Sequence, residues 1–245
     1  MRYNYFFSLS PKKIGLFLAG VVLIFQLVGA VRAGLGDLYA APAMAYLREA
    51  QDQQFEIAPA DRNAIEVSLN RSLAFAPDTP QYLSSLGWLQ QYRMAADQES
   101  LDDDHRFRLS ALAYESYAKA VAQRPTWPYD WGDMALEQYR QGQFDGAKYN
   151  QALVNVARFG PWKNDSQVIV VKLALDTWDE LSPAARQATF ATVDRGLKRQ
   201  SGVMTEIIEA YPGWAAFCSA EKGVSLALPN LRGECRSRLE QVGGS

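Results

Sequence analysis

Residues Ala113 to Pro125 read AYESYAKAVAQRP, and the reading of the chain turns on them. Ala113, Tyr117 and Ala120 stand twelve, eight and five residues before Pro125, a small, aromatic, small order at helical spacing that ends on a helix breaker. Downstream, Trp131, Gly142, Phe144 and Ala147 follow with a short Gln141-Gly142-Gln143 link between two amphipathic stretches. Upstream, Ser72, Leu73 and Pro77 close an earlier stretch, and a Leu86-Gly87 pair stands within the next. Links this short force neighbouring helices into antiparallel hairpins.

No strand-like alternation is sustained anywhere, so the expected fold class is all-α. Helices are predicted at about 42–53, 61–75, 80–93, 107–123, 129–140, 144–158, 166–179, 182–200 and 203–218. Starts are marked by Thr79 before Pro80, by Ser182 before Pro183, and by Asn164 with Gln167 three residues on, the capping-box spacing. The polar run Met94 to His105, with Asp97, Glu99, Asp102, Asp103 and Asp104, reads as an exposed loop.

The segment Ala113 to Pro125 resembles the second helix of a tetratricopeptide (TPR) repeat. The resemblance implies that Trp131, Gly142, Phe144 and Ala147 are the first-helix aromatic, the turn glycine, and the aromatic and small residue opening the second helix of the next unit. There are departures: Pro77 to Pro125 is 48 residues, Pro125 to Pro161 is 36, and Gln90 and Gln138 stand where the family usually has Tyr. The TPR-like solenoid is expected over residues 61–200. In the family's register Gln81, Ser84, Trp88 and Gln91, then Tyr129, Gly132, Leu136 and Tyr139, face the concave groove, with Trp88, Gln91, Tyr129 and Tyr139 as the candidate partner-binding residues. A narrower resemblance, carried by RPTWPYDWGDMAL (Arg124 to Leu136), ARFGPWKND (Ala157 to Asp165) and Trp178, is to the VpsP-like bacterial exopolysaccharide biosynthesis proteins. It implies a pathway and not a reaction.

Ahead of the hairpins, Arg2, Lys12, Lys13 and Arg32 are the only charged residues before Asp37. They bracket Ile14 to Val31, an eighteen-residue run with twelve Leu, Ile, Val and Phe residues and a single strongly polar one, Gln26. As a helix this run spans roughly 27 Å, close to a hydrocarbon core of about 30 Å. A transmembrane anchor is expected at 14–31, with 1–13 cytoplasmic by the positive-inside rule and Tyr3, Tyr5, Phe6 and Phe7 near the interface. Cleavage after Val28-Gly29-Ala30 as a signal peptide is the alternative. A juxtamembrane helix and linker is expected at 32–60, and a C-terminal helix and tail at 201–245. The implied location is a bacterial inner membrane, single-pass, with the hairpins in the periplasm.

Setting those four cations apart from the 25 basic residues leaves 21 against 27 acidic ones, a balance of −6, which disfavours nucleic acid as a partner. Cys218 and Cys235 are the only cysteines. They either form a structural disulfide or stand as two buried thiols. His105 is the only histidine, so no metal set and no triad is expected. Ser116 and Lys119 spell S-x-x-K without companion motifs, and read as a chance match inside a helix. No cofactor and no enzymatic activity are expected. The function expected is a membrane-anchored adaptor that contacts protein components of a polysaccharide synthesis or export complex. The alternative is a glycan-binding module on the same scaffold.

Overall fold

The computed structural model describes residues 11–211, 213–219 and 228–243. Arg2 and the aromatic group Tyr3 to Phe7 lie outside the described residues. The protein is all-α, with α1 (Pro11–Gln53), α2 (Pro59–Phe75), α3 (Pro80–Ala96), α4 (Asp103–Gln123), α5 (Pro128–Arg140), α6 (Ala147–Phe159), α7 (Asn164–Asp176), a 3-10 turn (Trp178–Glu180), α8 (Pro183–Ala210), α9 (Gly213–Ser219) and α10 (Pro229–Gly243). One compact unit ends at Pro77 and a second begins at Asp78.

The first unit is α1 with α2. The expected break between an anchor at 14–31 and a helix at 42–53 is absent, because α1 runs unbroken for 43 residues with Pro42 inside it. Its second half has a reason to stay helical: Gly36, Ala40, Ala43, Leu47 and Ala50 form a buried stripe on the side of α2. The 61–75 helix starts at Pro59 and uses its apolar residues Ile65 and Leu69 in this unit, which moves the boundary from 60/61 to 77/78.

In the second unit consecutive helices pack as hairpins, α3 on α4, α5 on α6 and α7 on α8, with α4 also against α5 and α6 against α8. The proline register is general. Counting twelve, eight and five residues back from Pro77, Pro125 and Pro161 gives Ile65, Leu69, Ser72; Ala113, Tyr117, Ala120; and Tyr149, Leu153, Val156, all buried. Before each proline the last amide donates to the carbonyl five residues before it: Ala76 to Ser72 at 2.9 Å, Arg124 to Ala120 at 2.9 Å and Gly160 to Val156 at 2.8 Å. Three residues after each proline the next helix starts, at Pro80, Pro128 and Asn164. Proline ends one helix because it forbids continuation, and where it recurs at the next first position its fixed φ begins another.

Ala147 opens α6, the place the register gives it, and is exposed there, while Phe144 falls ahead of the helix. Pro125 to Pro161 exceeds the family's 34-residue period by two. The turn before α6, where Gly142 takes φ +69°, absorbs the excess, so the inward positions become Tyr149, Leu153 and Val156.

Other corrections concern ends. Asn164 does not cap α7: the residue ahead of the helix is Lys163, and Gln167 Nε2 donates to the Pro161 carbonyl at 2.8 Å instead of reaching a cap. Ser182 caps α8 as expected, accepting from the Ala185 amide at 3.2 Å. The acidic run is only partly a loop, since α4 starts at Asp103. Asp102 Oδ1 accepts from the His105 amide at 2.7 Å as an N-cap, while Asp103 and Asp104 complement the first-turn dipole. The expected division between 182–200 and 203–218 survives as a kink at Gln200 (φ −144°, ψ 54°) inside α8, and the helix then ends at Ala210. Beyond it α10 was not foreseen. Its first turn is capped from another helix, with Asp194 Oδ1 of α8 accepting from the Asn230 and Leu231 amides at 2.8 and 3.0 Å. Cys218 of α9 and Cys235 of α10 are bridged, with Cα atoms 5.4 Å apart.

Candidate functional site

Helix α5 carries Asp130, Asp133 and Glu137, spaced three and four residues apart and therefore on one face. Two bonds tie this face to α3 with an identical sequence offset. Ser84 Oγ donates to Asp130 Oδ1 at 2.6 Å, and Gln91 Nε2 donates to Glu137 Oε1 at 2.8 Å. Asp130 is 1% exposed and Glu137 0%, so each carboxylate needs compensation. Arg124 grips Asp130 with two nitrogens, at 2.7 and 3.1 Å, and also donates to Ser84 Oγ at 2.7 Å. Arg140 pairs with Glu137.

Asp133 lies between them with neither arginine bound to it. Its carboxyl is pushed up to about 7, first by burial and then by the negative charges of Asp130 and Glu137, against a smaller downward pull from the Gln91 hydrogen bond and Arg140. The Tyr117 hydroxyl donates to Gln91 Oε1 at 3.0 Å, and burial raises its pKa well above the usual phenol range. The cluster therefore does two things: it cross-links α3, α4 and α5, and it holds one carboxyl that changes charge near neutral pH.

The four candidate partner-binding residues are placed unequally. Gln91 has both ends of its amide engaged inside the network. Trp88 is half-buried and stacks on Tyr92 with ring centroids 5.3 Å apart. Tyr129 lies against Trp127 at 5.4 Å and lines a pocket of about 110 Å³ with Gly132, Asp133, Asp165, Ser166 and Ile169. Tyr139 packs on Phe144 and donates to Asp176 Oδ2 at 2.9 Å, a bond that raises its own pKa. Gly132 is a spacing residue, since a Cβ there would stand 3.3 Å from Ile169 Cγ2. Leu136 is half-buried against the core around Tyr117 and Tyr149.

Sequence reasoning missed the acidic face of α5, although its three- and four-residue spacing was visible. It also missed a cleft of about 750 Å³ between the end of α3 and the start of α4, where Met94, Gln98, Asp104, Phe107, Ser110 and Arg140 meet. The S-x-x-K pair is split by the helix: Ser116 is buried and donates to the Leu112 carbonyl at 2.9 Å, while Lys119 is exposed. His105 Nδ1 sits 2.7 Å from Asp102 Oδ1 on the surface. Among the described residues no group of three or more His, Cys, Asp or Glu side chains is arranged to hold a metal ion.

These features define an all-helical protein built of proline-terminated hairpins, with one N-terminal helix long and apolar enough to cross a membrane. No protein-family model, curated protein or solved structure matches the chain.

Proposed function

We propose that this chain is a membrane-anchored, non-catalytic TPR-like adaptor that supports bacterial exopolysaccharide biosynthesis or export through protein-protein contacts. The observation that carries the adaptor reading is the recurrence of one buried register before Pro77, Pro125 and Pro161 on the same chain as an apolar 14–31 run. Stacked hairpins offer surface for contact, and Ser84 and Gln91 of α3 with Asp130 and Glu137 of α5 are engaged in holding helices together. The pathway rests on the resemblance of residues 124–136 and 157–165 to the VpsP-like proteins.

In this reading the anchor sits in the inner membrane, with Arg2, Lys12 and Lys13 on the cytoplasmic side and the hairpins in the periplasm. The Cys218–Cys235 bridge supports an oxidising compartment. A reporter active only after export, fused behind Ser245, gives signal if the orientation is right; activity of a cytoplasm-only reporter at that position rejects it. Deletion of the gene lowers secreted polysaccharide, and crosslinking in cells recovers a synthesis or export component. Unchanged output in the deletion strain rejects the pathway.

Glycan binding is the second reading, favoured by Trp127 and Trp162, which are 43% and 60% exposed in two of the proline junctions. Exposed indole faces can stack on sugar rings. Shifted tryptophan emission on titration with the purified polysaccharide supports that reading in place of a purely protein partner.

A further inference from the structure

The α1/α2 hairpin is stitched at three levels. The Tyr46 hydroxyl donates to Asp61 Oδ2 at 3.0 Å, Ser68 Oγ donates to the Tyr39 carbonyl at 2.7 Å, and Arg32 Nε donates to the Phe75 carbonyl at 3.2 Å. Each seven-residue step toward the start of α1 is met by a seven-residue step toward the end of α2. The helices are thus antiparallel in constant register. The buried stripe of α1 keeps the same cadence, with intervals of four, three, four and three residues from Gly36 to Ala50.

Where this hairpin stops is informative. The stripe begins at Gly36, and α2 ends at Phe75, bonded to Arg32. Arg32 is the first residue after the apolar run Ile14 to Val31. Continuing the same register by seven more residues would set α2 beside the middle of that run; the helix ends first. If the run fills the hydrocarbon, the last carbonyl of α2 lies within reach of an arginine side chain rooted at its edge.

The chemistry at that end suits the headgroup layer. Arg32 and Arg71 are exposed cations, one at the edge and one a turn above it on α2. Tyr39 and Phe75 stack in parallel, with ring centroids 5.6 Å apart and planes 5° apart. Tyr39 stands about 10 Å along α1 from Arg32, but helical side chains lean toward the N-terminus, which brings its ring back toward Arg32. The polar layer on each side of a bilayer is roughly 5–8 Å deep, the depth at which amphipathic aromatics and arginines gather.

We infer that the C-terminal end of α2 rests in the headgroup layer of a phospholipid bilayer, so that membrane contact comprises a collar of Arg32, Arg71, Tyr39 and Phe75 in addition to the span. This rests on the reading of α1 as membrane-crossing, and the experiment separates the two. The full chain carrying one nitroxide label at Val22→Cys, Ala74→Cys or Asn63→Cys is reconstituted in phosphatidylcholine/phosphatidylglycerol vesicles. Labelling proceeds without reductant, so the native bridge stays closed. Collision with dissolved oxygen and with a water-soluble nickel chelate then reports depth. Asn63 and Ala74 are both exposed on α2 and about 16 Å apart along its axis.

Expected are a Val22 label accessible mainly to oxygen, an Asn63 label with the chelate accessibility of buffer, and an Ala74 label several-fold less accessible to the chelate than Asn63. A lipid-embedded Val22 label with Ala74 and Asn63 equally open to the chelate overturns the collar and leaves the span. A Val22 label open to the chelate overturns both.

Discussion

At Gly87 an added Cβ would lie 2.8 to 3.0 Å from three atoms of the Tyr117 ring. That ring is 1% exposed and its hydroxyl is bonded to Gln91, so it has nowhere to move. Gly87→Ala should therefore lose stability despite the gain of about 1 kcal/mol that Ala brings to a helix interior, because overpacking costs roughly 1–3 kcal/mol. Gly202 is the internal control: it is helical with nothing within 4 Å of a built Cβ, so Gly202→Ala should raise stability. Denaturant midpoints of the full chain in detergent check both, and a gain of stability in Gly87→Ala would mean that Gly87 does not face Tyr117. Asp133 gives a second test at this scale. Its folded pKa is raised, so between about pH 4 and pH 7 the folded state binds more protons than the unfolded one, and stability falls as pH rises through that window. Asp133→Asn removes the carboxyl. The variant should be more stable than the parent above pH 7, by roughly 1–3 kcal/mol, and should lose that advantage near pH 4. Equal pH profiles for variant and parent would sink the assignment.

Among the elements, the hairpin starts and stops were legible wherever proline set them. Pro77, Pro125 and Pro161 announce three helix ends from the sequence alone, because the ring excludes the helical continuation whatever packs around it. Ends set by side-chain bonds were less visible. Asn164 and Gln167 have the spacing of a capping box, yet Gln167 finds the Pro161 carbonyl closer to hand. The cap of α10 could not be read locally at all, since Asp194 comes from a helix 36 residues earlier. That cap ties α10 to α8 and the Cys218–Cys235 bridge ties α9 to α10, over a core that Ile208 of α8, Phe217 of α9 and Leu231 of α10 share. Replacing both cysteines by Ser should lower stability by about 3 kcal/mol in the chain-entropy model. The loss should be confined to this end: amide exchange should quicken in α9 and α10 while the amides of Tyr117 and Tyr149 stay protected. Uniform quickening would show that the bridge supports the whole unit.

For the molecule as a whole, composition and periodicity were enough for an all-α chain with an apolar N-terminal helix, since both properties are sums over many residues. Of the candidate site much less was legible. Trp88, Gln91, Tyr129 and Tyr139 were placed on a groove from register alone, but register does not say that Gln91 spends both amide ends inside or that Tyr139 reaches Asp176. The acidic face of α5 depends on which helix lies opposite, which is a property of the tertiary structure.

The unbroken course of α1 carries one more consequence, in helical phase. A helix without a joint fixes the azimuth of everything attached to it, at 100° per residue. One residue inserted between Arg32 and Gly36 would swing the α2-bearing side through 100° about the axis relative to the apolar run Ile14 to Val31. Four inserted residues would return it to within about 40° while lifting it by about 6 Å. The azimuth and height of the α1/α2 hairpin relative to the apolar run are in this way written into the residue count of a single segment.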